Sequence, residues 1–546
     1  MVSDHRSTHN GTAGNGADQR SMLFPPTVED MIQLPSQKHK HSSAIDLPKL
    51  PCEFFLHLIN CFFTYFHPTL PIIEETSFFA DLIPVNVHHP VLLNAIYSIG
   101  CLFSRHPLLF QPPLSSPEDA SHLFALRAYD QIHQSEAKSL RSFHIAVCTG
   151  SILLSIVSYG NGNVARMGAI VGSACQIIQR FGYPDKGVFE DLPSVMGHTL
   201  PSVFASKRAL KRTWWGCLLS DSFSSIGGGT SLLLNEAECI DIIRNADHIQ
   251  SGRDERTDHF QMEEAWLLLR DYPANTVFND TTPRAMEGSQ ADHLYTPVDG
   301  ALHLVQLNAI LRLIIRHNTN RTPEEITPQT ANPTIFNLHQ IISQKPSLDA
   351  LHKLLVSWCE NLPADFQFFE SLDYFTPAQK PLSSLCVNAH ITFFAALVLL
   401  HHGERAKRER GNTGAERLFA LSSAKTMTSG EICLHAYRAH CHILQRVFQG
   451  QPPSFLTIAP IELCSSPTSA LFLALTPIVL LQDQQFSRIL LSPDAKKTGI
   501  DDIGKWILPA LDSIGHVWKC ASSYAANLRR RIVFMKAQMA SSGANA

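Results

Sequence analysis

Apolar side chains in this sequence recur in steps of three and four, the spacing that collects them on one face of an α-helix. They almost never recur in steps of two, the spacing of a half-buried strand. The fullest run is Val164, Met167, Val171, Ala174, Ile178 and Phe181, closed by Gly182 as a left-handed cap and by Pro184. It predicts an amphipathic or buried helix, expected to be central because its apolar face is the longest and truest to period. Phe55, Ile59, Phe62 and Phe66 predict a first helix of about fifteen residues, stopped at His67-Pro68 and Pro71 because proline removes an amide and clashes with the preceding turn. Pro90 opens a second, with Leu92, Ala95, Ile99 and Leu102 in period, and Ile145, Cys148, Ile152 and Ile156 mark a third. Ala209 to Ser225 and Leu304, Leu307, Leu311 and Ile314 give two more, and apolar helical stretches follow at 347–360, 384–402, 427–448, 469–482 and 502–536. The fold class is all-α.

A chain of 546 residues exceeds the usual span of one hydrophobic core. Residues 1–45, rich in Ser, Gly, Asn, Gln and His, cannot offset the entropy of ordering and are expected to be a disordered tail. A helical region at 46–247 is followed by a polar connection at 248–298 and by a second helical region at 299–540 packed on the first, with a charged loop expected at 403–414. The hydrophobic share of 45 % and charged share of 17 % are those of a globular protein. A net charge of −4 gives no general attraction to nucleic acid, so no direct DNA contact is expected.

The thirteen cysteines show no repeated spacing and, without a secretory leader, are expected as reduced, mostly buried thiols. The apolar runs Ile391 to Leu400 and Ala470 to Leu481 are too short to span a bilayer, so a soluble, intracellular protein without membrane contact is expected.

Gly160-Asn161-Gly162-Asn163-Val164-Ala165, with Asp185 downstream, fits a dinucleotide fingerprint, but the preceding run has helical period where that site needs a strand. A helix-turn-helix corner is the preferred reading. Gly227-Gly228-Gly229-Thr230 lacks the Lys-Ser/Thr ending of a phosphate loop and reads as a plain loop. Cys433, His435, His440, Cys441 and His442 are zinc-type ligands on one helix facing different ways, so buried thiols and solvated imidazoles are preferred to a metal site. Short basic runs at Lys207-Arg208, Lys211-Arg212 and Arg529-Arg530-Arg531 read mostly as solvated helix faces. Arg405, Lys407, Arg408 and Arg410, in the expected loop, are the candidate nuclear-import signal. No catalytic residue, cofactor or metal ligand is identified.

Four segments in order resemble the middle homology region of fungal zinc-cluster transcription factors. Phe62 to Ile73 (FFTYFHPTLPII), with His67, Pro68 and Pro71, is similar to the family's aromatic helix ending in F-H-P-x-x-P. Pro90 to Ile96 is similar to its P-L-L-L-x-A-I helix. Tyr159 to Met167, with Gly160, Gly162 and Arg166, and on through Gln179 to Gly182, resembles its paired helices joined by a G-x-G corner. Lys211-Arg212-Thr213-Trp214-Trp215, with Leu218 and Asp221, resembles its R-R-x-W-W helix and the acidic residue that follows. Asp221-Ser222 stands where the family has Asp-Arg, and Gly228-Gly229-Thr230 where it has Gly-Arg-Pro. Residues 1–51 contain none of the six cysteines of the family's zinc cluster, so the DNA-binding domain is expected to be absent here or supplied by a partner.

The resemblance implies a non-enzymatic regulator of transcription in the nucleus, pathway-specific, for example of a secondary-metabolite gene cluster. Its partners would be a DNA-binding transcription factor or the transcription machinery, with room for a homodimer and a small-molecule effector. The competing reading is a cytosolic helical protein that kept the fold for small-molecule binding or catalysis. Asp221, the one charge on an apolar stripe, must pair or be protonated if buried. Arg166 is its expected partner, unless the helix ends nearby and leaves Asp221 half exposed.

Overall fold

The computed structural model describes residues 50–73, 75–82, 89–112, 114–136, 144–180, 207–234, 297–319, 347–371, 376–377, 383–408, 418–421, 426–449, 461–482, 486 and 503–543. Its helices are α1 (Cys52–Cys61), α2 (Glu75–Leu82), α3 (Pro90–Leu102), α4 (Pro117–Glu136), α5 (His144–Gly160), α6 (Val164–Arg180) and α7 (Lys207–Gly228). They continue with α8 (Pro297–Thr319), α9 (Leu348–Glu360), α10 (Ser384–Arg408), α11 (Ser429–Val447), α12 (Ile461–Cys464), α13 (Pro467–Gln482), α14 (Leu508–Ile514) and α15 (Lys519–Gly543). Two short antiparallel hairpins complete it, β1 (Phe369–Ser371) with β2 (Thr376–Pro377) and β3 (Leu418–Ala420) with β4 (Thr426–Thr428). The protein is all-α. The tail expected at 1–45, nearly all of the connection expected at 248–298, and the cap at Gly182 and Pro184 lie outside the described residues.

Local signals set the boundaries. Pro90 is the first residue of α3, whose second amide, Val91 N, donates to His89 Nδ1 at 3.2 Å. Thr428 and Glu431 form a reciprocal capping box at the start of α11, and Ser347 caps α9 by accepting from Ala350 N. At the first helix α1 passes into a π-helical turn, Phe62–Phe66, before His67-Pro68, and Phe62, Phe63 and Phe66 are all buried.

One apolar cluster runs from Ile59 to Leu528 and takes in residues from both ends of the chain, while Phe54, Leu58, Cys101, Leu109, Leu114, Ala120 and Phe124 form a satellite. The centre is α10, on which α8, α9, α11, α12 and α13 pack. The Val164 helix is not the centre. Met167, Val171, Ala174 and Ile178 are buried on α6, but Ala165, Ala169 and Gln176 face solvent, because a clean apolar stripe marks a helix with one wet side and a fully buried helix is apolar all round.

Three other expectations are corrected. The stretch 502–536 divides into a π-helical turn, α14 and α15, broken at Gly515 to Trp518. The loop expected from 403 is helical to Arg408, because α10 simply continues. Finally, Ser384–His402 is long and apolar enough to cross a membrane by length and composition, and 89 % of it is buried inside this fold.

Candidate functional site

The F-H-P-x-x-P segment and the K-R-x-W-W helix meet at one carbonyl. His67 is buried and its Nε2 donates to Ile73 O at 2.9 Å, while Arg212 Nη1 of α7 donates to the same oxygen at 3.0 Å. Burial holds the His67 imidazole neutral and lowers its pKa to about 3, and the Arg212 charge adds to that. Pro71 is buried and Pro68 half-buried; Thr69 Oγ1 donates to Phe66 O at 2.7 Å and to Ser465 O at 3.3 Å. Trp214 and Trp215 are buried behind this turn. Between Thr69 to Ile72, Trp215 and Leu219, and Leu304 and Val305 of α8 lies a cleft of about 10 Å³, room for no more than one water and far below the size of ordinary ligand pockets. Arg212, expected on a solvated face, is therefore structural, and Glu75 feels its charge.

The glycine corner is a junction with the far end of the chain. Gly162 takes φ 81°, and its amide donates to Tyr159 O as Asn163 N does to Ser158 O, both at 2.8 Å. Asn163 then caps α6, accepting from Arg166 N at 3.0 Å. Gly160 lies flat against the Trp518 ring, where any Cβ would overlap it. Trp518 donates from Nε1 to Cys464 O, and Tyr159 and Tyr524 share a hydroxyl hydrogen bond of 2.6 Å. The preceding segment is the helix α5, so the strand that a dinucleotide site needs is not there.

Asp221 is buried, but its partner is Arg312. One carboxylate oxygen, Oδ2, accepts from Arg312 Nη1 at 2.9 Å, and the carboxylate also accepts from the Leu233 and Leu234 amides at 3.1 Å. Arg312 is itself fully buried and donates further to Ser222 Oγ, to Leu218 O and to Leu234 O. Helix α7, the return segment that leaves it at Gly229, and α8 are thereby clasped by two side chains. Arg166, the expected partner, instead stacks its guanidinium 5.4 Å above the Tyr129 ring. The reason is reach: Arg166 sits at the solvent-facing start of α6, whereas Arg312 projects from the buried stripe of α8. Ser222, which stands where the resembling family has arginine, accepts a hydrogen bond from the guanidinium supplied by α8. Gly227 to Thr230 is the end of α7 and its reversal.

In the dense ligand set on α11 the thiols of Cys433 and Cys441 are buried and His442 is exposed, as expected, but the imidazoles of His435 and His440 are buried where solvated ones were expected. His440 Nε2 donates to Ile391 O at 3.0 Å. Among the described residues no group of three His, Cys, Asp or Glu side chains is placed to hold a metal ion. A histidine chain nowhere signalled by the sequence links α9, α10 and α11. His352 Nε2 donates to Ala420 O at 2.9 Å, which obliges His352 Nδ1 to accept from His401 Nε2 at 2.9 Å and His401 Nδ1 to accept from Ser429 Oγ at 3.0 Å. Burial lowers the pKa of both imidazoles. Arg405, Lys407 and Arg408 fall in the last turns of α10, and Arg410 lies outside the described residues.

Residues 59–243, about a third of the chain, match the model of the fungal specific transcription factor domain. No curated protein and no solved structure matches the chain. The matched span contains the His67 turn, the glycine corner and the Asp221 helix just described, in the order the family pattern has them: this chain carries a fungal specific transcription factor domain.

Proposed function

We propose that the chain is a nuclear, pathway-specific transcription regulator, of the kind that controls a secondary-metabolite gene cluster. It acts without catalysis and relies on a DNA-binding transcription factor or the transcription machinery for its contact with promoters. The match over 59–243 supports a transcription regulator. The observation that carries a regulatory role is the Asp221–Arg312 clasp: the matched region is locked to a helix beyond it by a buried ion pair, so a change of packing on α8 is felt on α7. The import signal is proposed at Arg405, Lys407, Arg408 and Arg410, four cations within six residues of sequence. A homodimer or a small-molecule effector would bias the same clasp.

The test is a fluorescent fusion of the full chain in its host, together with a fusion to a heterologous DNA-binding domain before a reporter gene. Nuclear fluorescence that is lost with Arg405, Lys407, Arg408 and Arg410 all changed to alanine, and a reporter output that shifts on Asp221→Asn, are expected. A fusion excluded from the nucleus and silent at the reporter would refute the proposal.

A further inference from the structure

Helix α15 outruns the core that holds it. Leu528 is fully buried; from Arg529 to Gln538 every residue is half-buried or exposed. Arg531, Ile532 and Met535 lean on the body, which leaves Arg530, Val533, Phe534, Ala537 and Ser541 on the outward face at helical spacing. Val533 is 68 % and Phe534 61 % exposed, neighbouring large apolar side chains in water. The charge of the helix is one-sided: Lys519, Arg529, Arg530, Arg531 and Lys536, with no Asp or Glu between Lys519 and Gly543, in a chain whose net charge is −4. Arg529 is committed to Asp512 and Arg531 Nε to Asn527 Oδ1, while Arg530 and Lys536 stand exposed on either side of the apolar pair.

We infer that this face docks an acidic amphipathic helix of a partner protein, with Val533 and Phe534 packing on its apolar stripe and Arg530 and Lys536 meeting carboxylates that flank it. Charge decides against a symmetric pairing of α15 with the α15 of a second copy, which would set cation against cation. A nucleic acid would engage the cations but has no use for an exposed valine and phenylalanine. A membrane-surface helix needs a large apolar face along its length, whereas here the same face continues only as Arg530, Ala537 and Ser541. The inference rests on α15 alone and is independent of the family reading.

The test is photo-crosslinking of the full chain in its own cells with Phe534 replaced by p-benzoylphenylalanine, the crosslinked species then being sequenced. A crosslink to an acid-rich amphipathic segment of another protein, reduced at least about tenfold by Arg530→Glu with Lys536→Glu, is the expected result. Because these positions are exposed, both variants should melt with the parent, and that control separates lost docking from lost folding. Crosslinks to lipid, to nucleic acid, to a second copy, to another part of the same chain or to a basic or neutral peptide would overturn the inference. So would the absence of any crosslink.

Discussion

Mild acidification should weaken this protein before most of its carboxylates titrate. His67, His390 and His440 are buried and uncharged, each donating one ring N–H to a backbone carbonyl, and burial lowers their pKa values to about 3, about 4 and about 4. In the unfolded chain each returns to 6.5 and takes up a proton that the native state refuses. The sign follows: a folded pKa below the unfolded one gives stability that is present above pH 6.5 and lost as pH falls beneath it. One unit lower, at about pH 5.5, each imidazole costs roughly 1.4 kcal/mol, so the three together remove about 4 kcal/mol from a stability of order 5–15 kcal/mol. His352 and His401 act in the same direction. Glu75 acts in the other: burial raises its pKa to about 7, so protonating it returns roughly 1–2 kcal/mol over the same interval. Urea denaturation followed by far-ultraviolet circular dichroism at about pH 7.5 and pH 5.5 reads the difference directly. A midpoint that does not move between the two, or that rises at the lower pH, would show that these imidazoles are solvated or carry a charge in the native state.

Arg312→Ala should cost about 3–5 kcal/mol, because it strands the Asp221 carboxylate in the core. Adding Asp221→Asn should cost much less than it does in the parent chain, and strict additivity of the two in chemical denaturation would rule out the clasp. Gly160→Ala should destabilise by about 1–3 kcal/mol by driving a methyl group into the Trp518 ring, with a shift in tryptophan fluorescence. An unchanged midpoint and spectrum would mean that Trp518 does not lie against that corner.

Helix existence was legible because apolar spacing is a local property: Ile145 to Ile156 and Leu304 to Ile314 both fall within helices. Rank within the fold was not. The Val164 stripe drew attention because it is amphipathic, whereas the central α10 is apolar on nearly every side and so shows no stripe. At the site, Asp221 stood out as a lone charge among apolar neighbours, and the same signal was present in Arg312, isolated within LNAILRLII. Joining the two required a contact across ninety-one positions, which no periodicity encodes. The histidine chain was invisible for the same reason, since His352, His401 and Ser429 each look ordinary in their own helices. The end of α10 was misplaced because a polar, charged stretch was equated with a loop, and a helix leaving the core can be as polar as one.

The glycine corner carries a practical consequence for anyone who would cut this molecule. The span that matches the family ends at residue 243, yet Gly160 and Tyr159 are covered by Trp518 and Tyr524, and Asp221 is neutralised by Arg312. A fragment trimmed to the matched span would leave a tyrosine hydroxyl, a flat glycine surface and an unpaired carboxylate where the intact chain has a dry interior. The unit that can be recognised is thus smaller than the unit that can fold, and truncations placed at the recognised edge should yield aggregates rather than a working module.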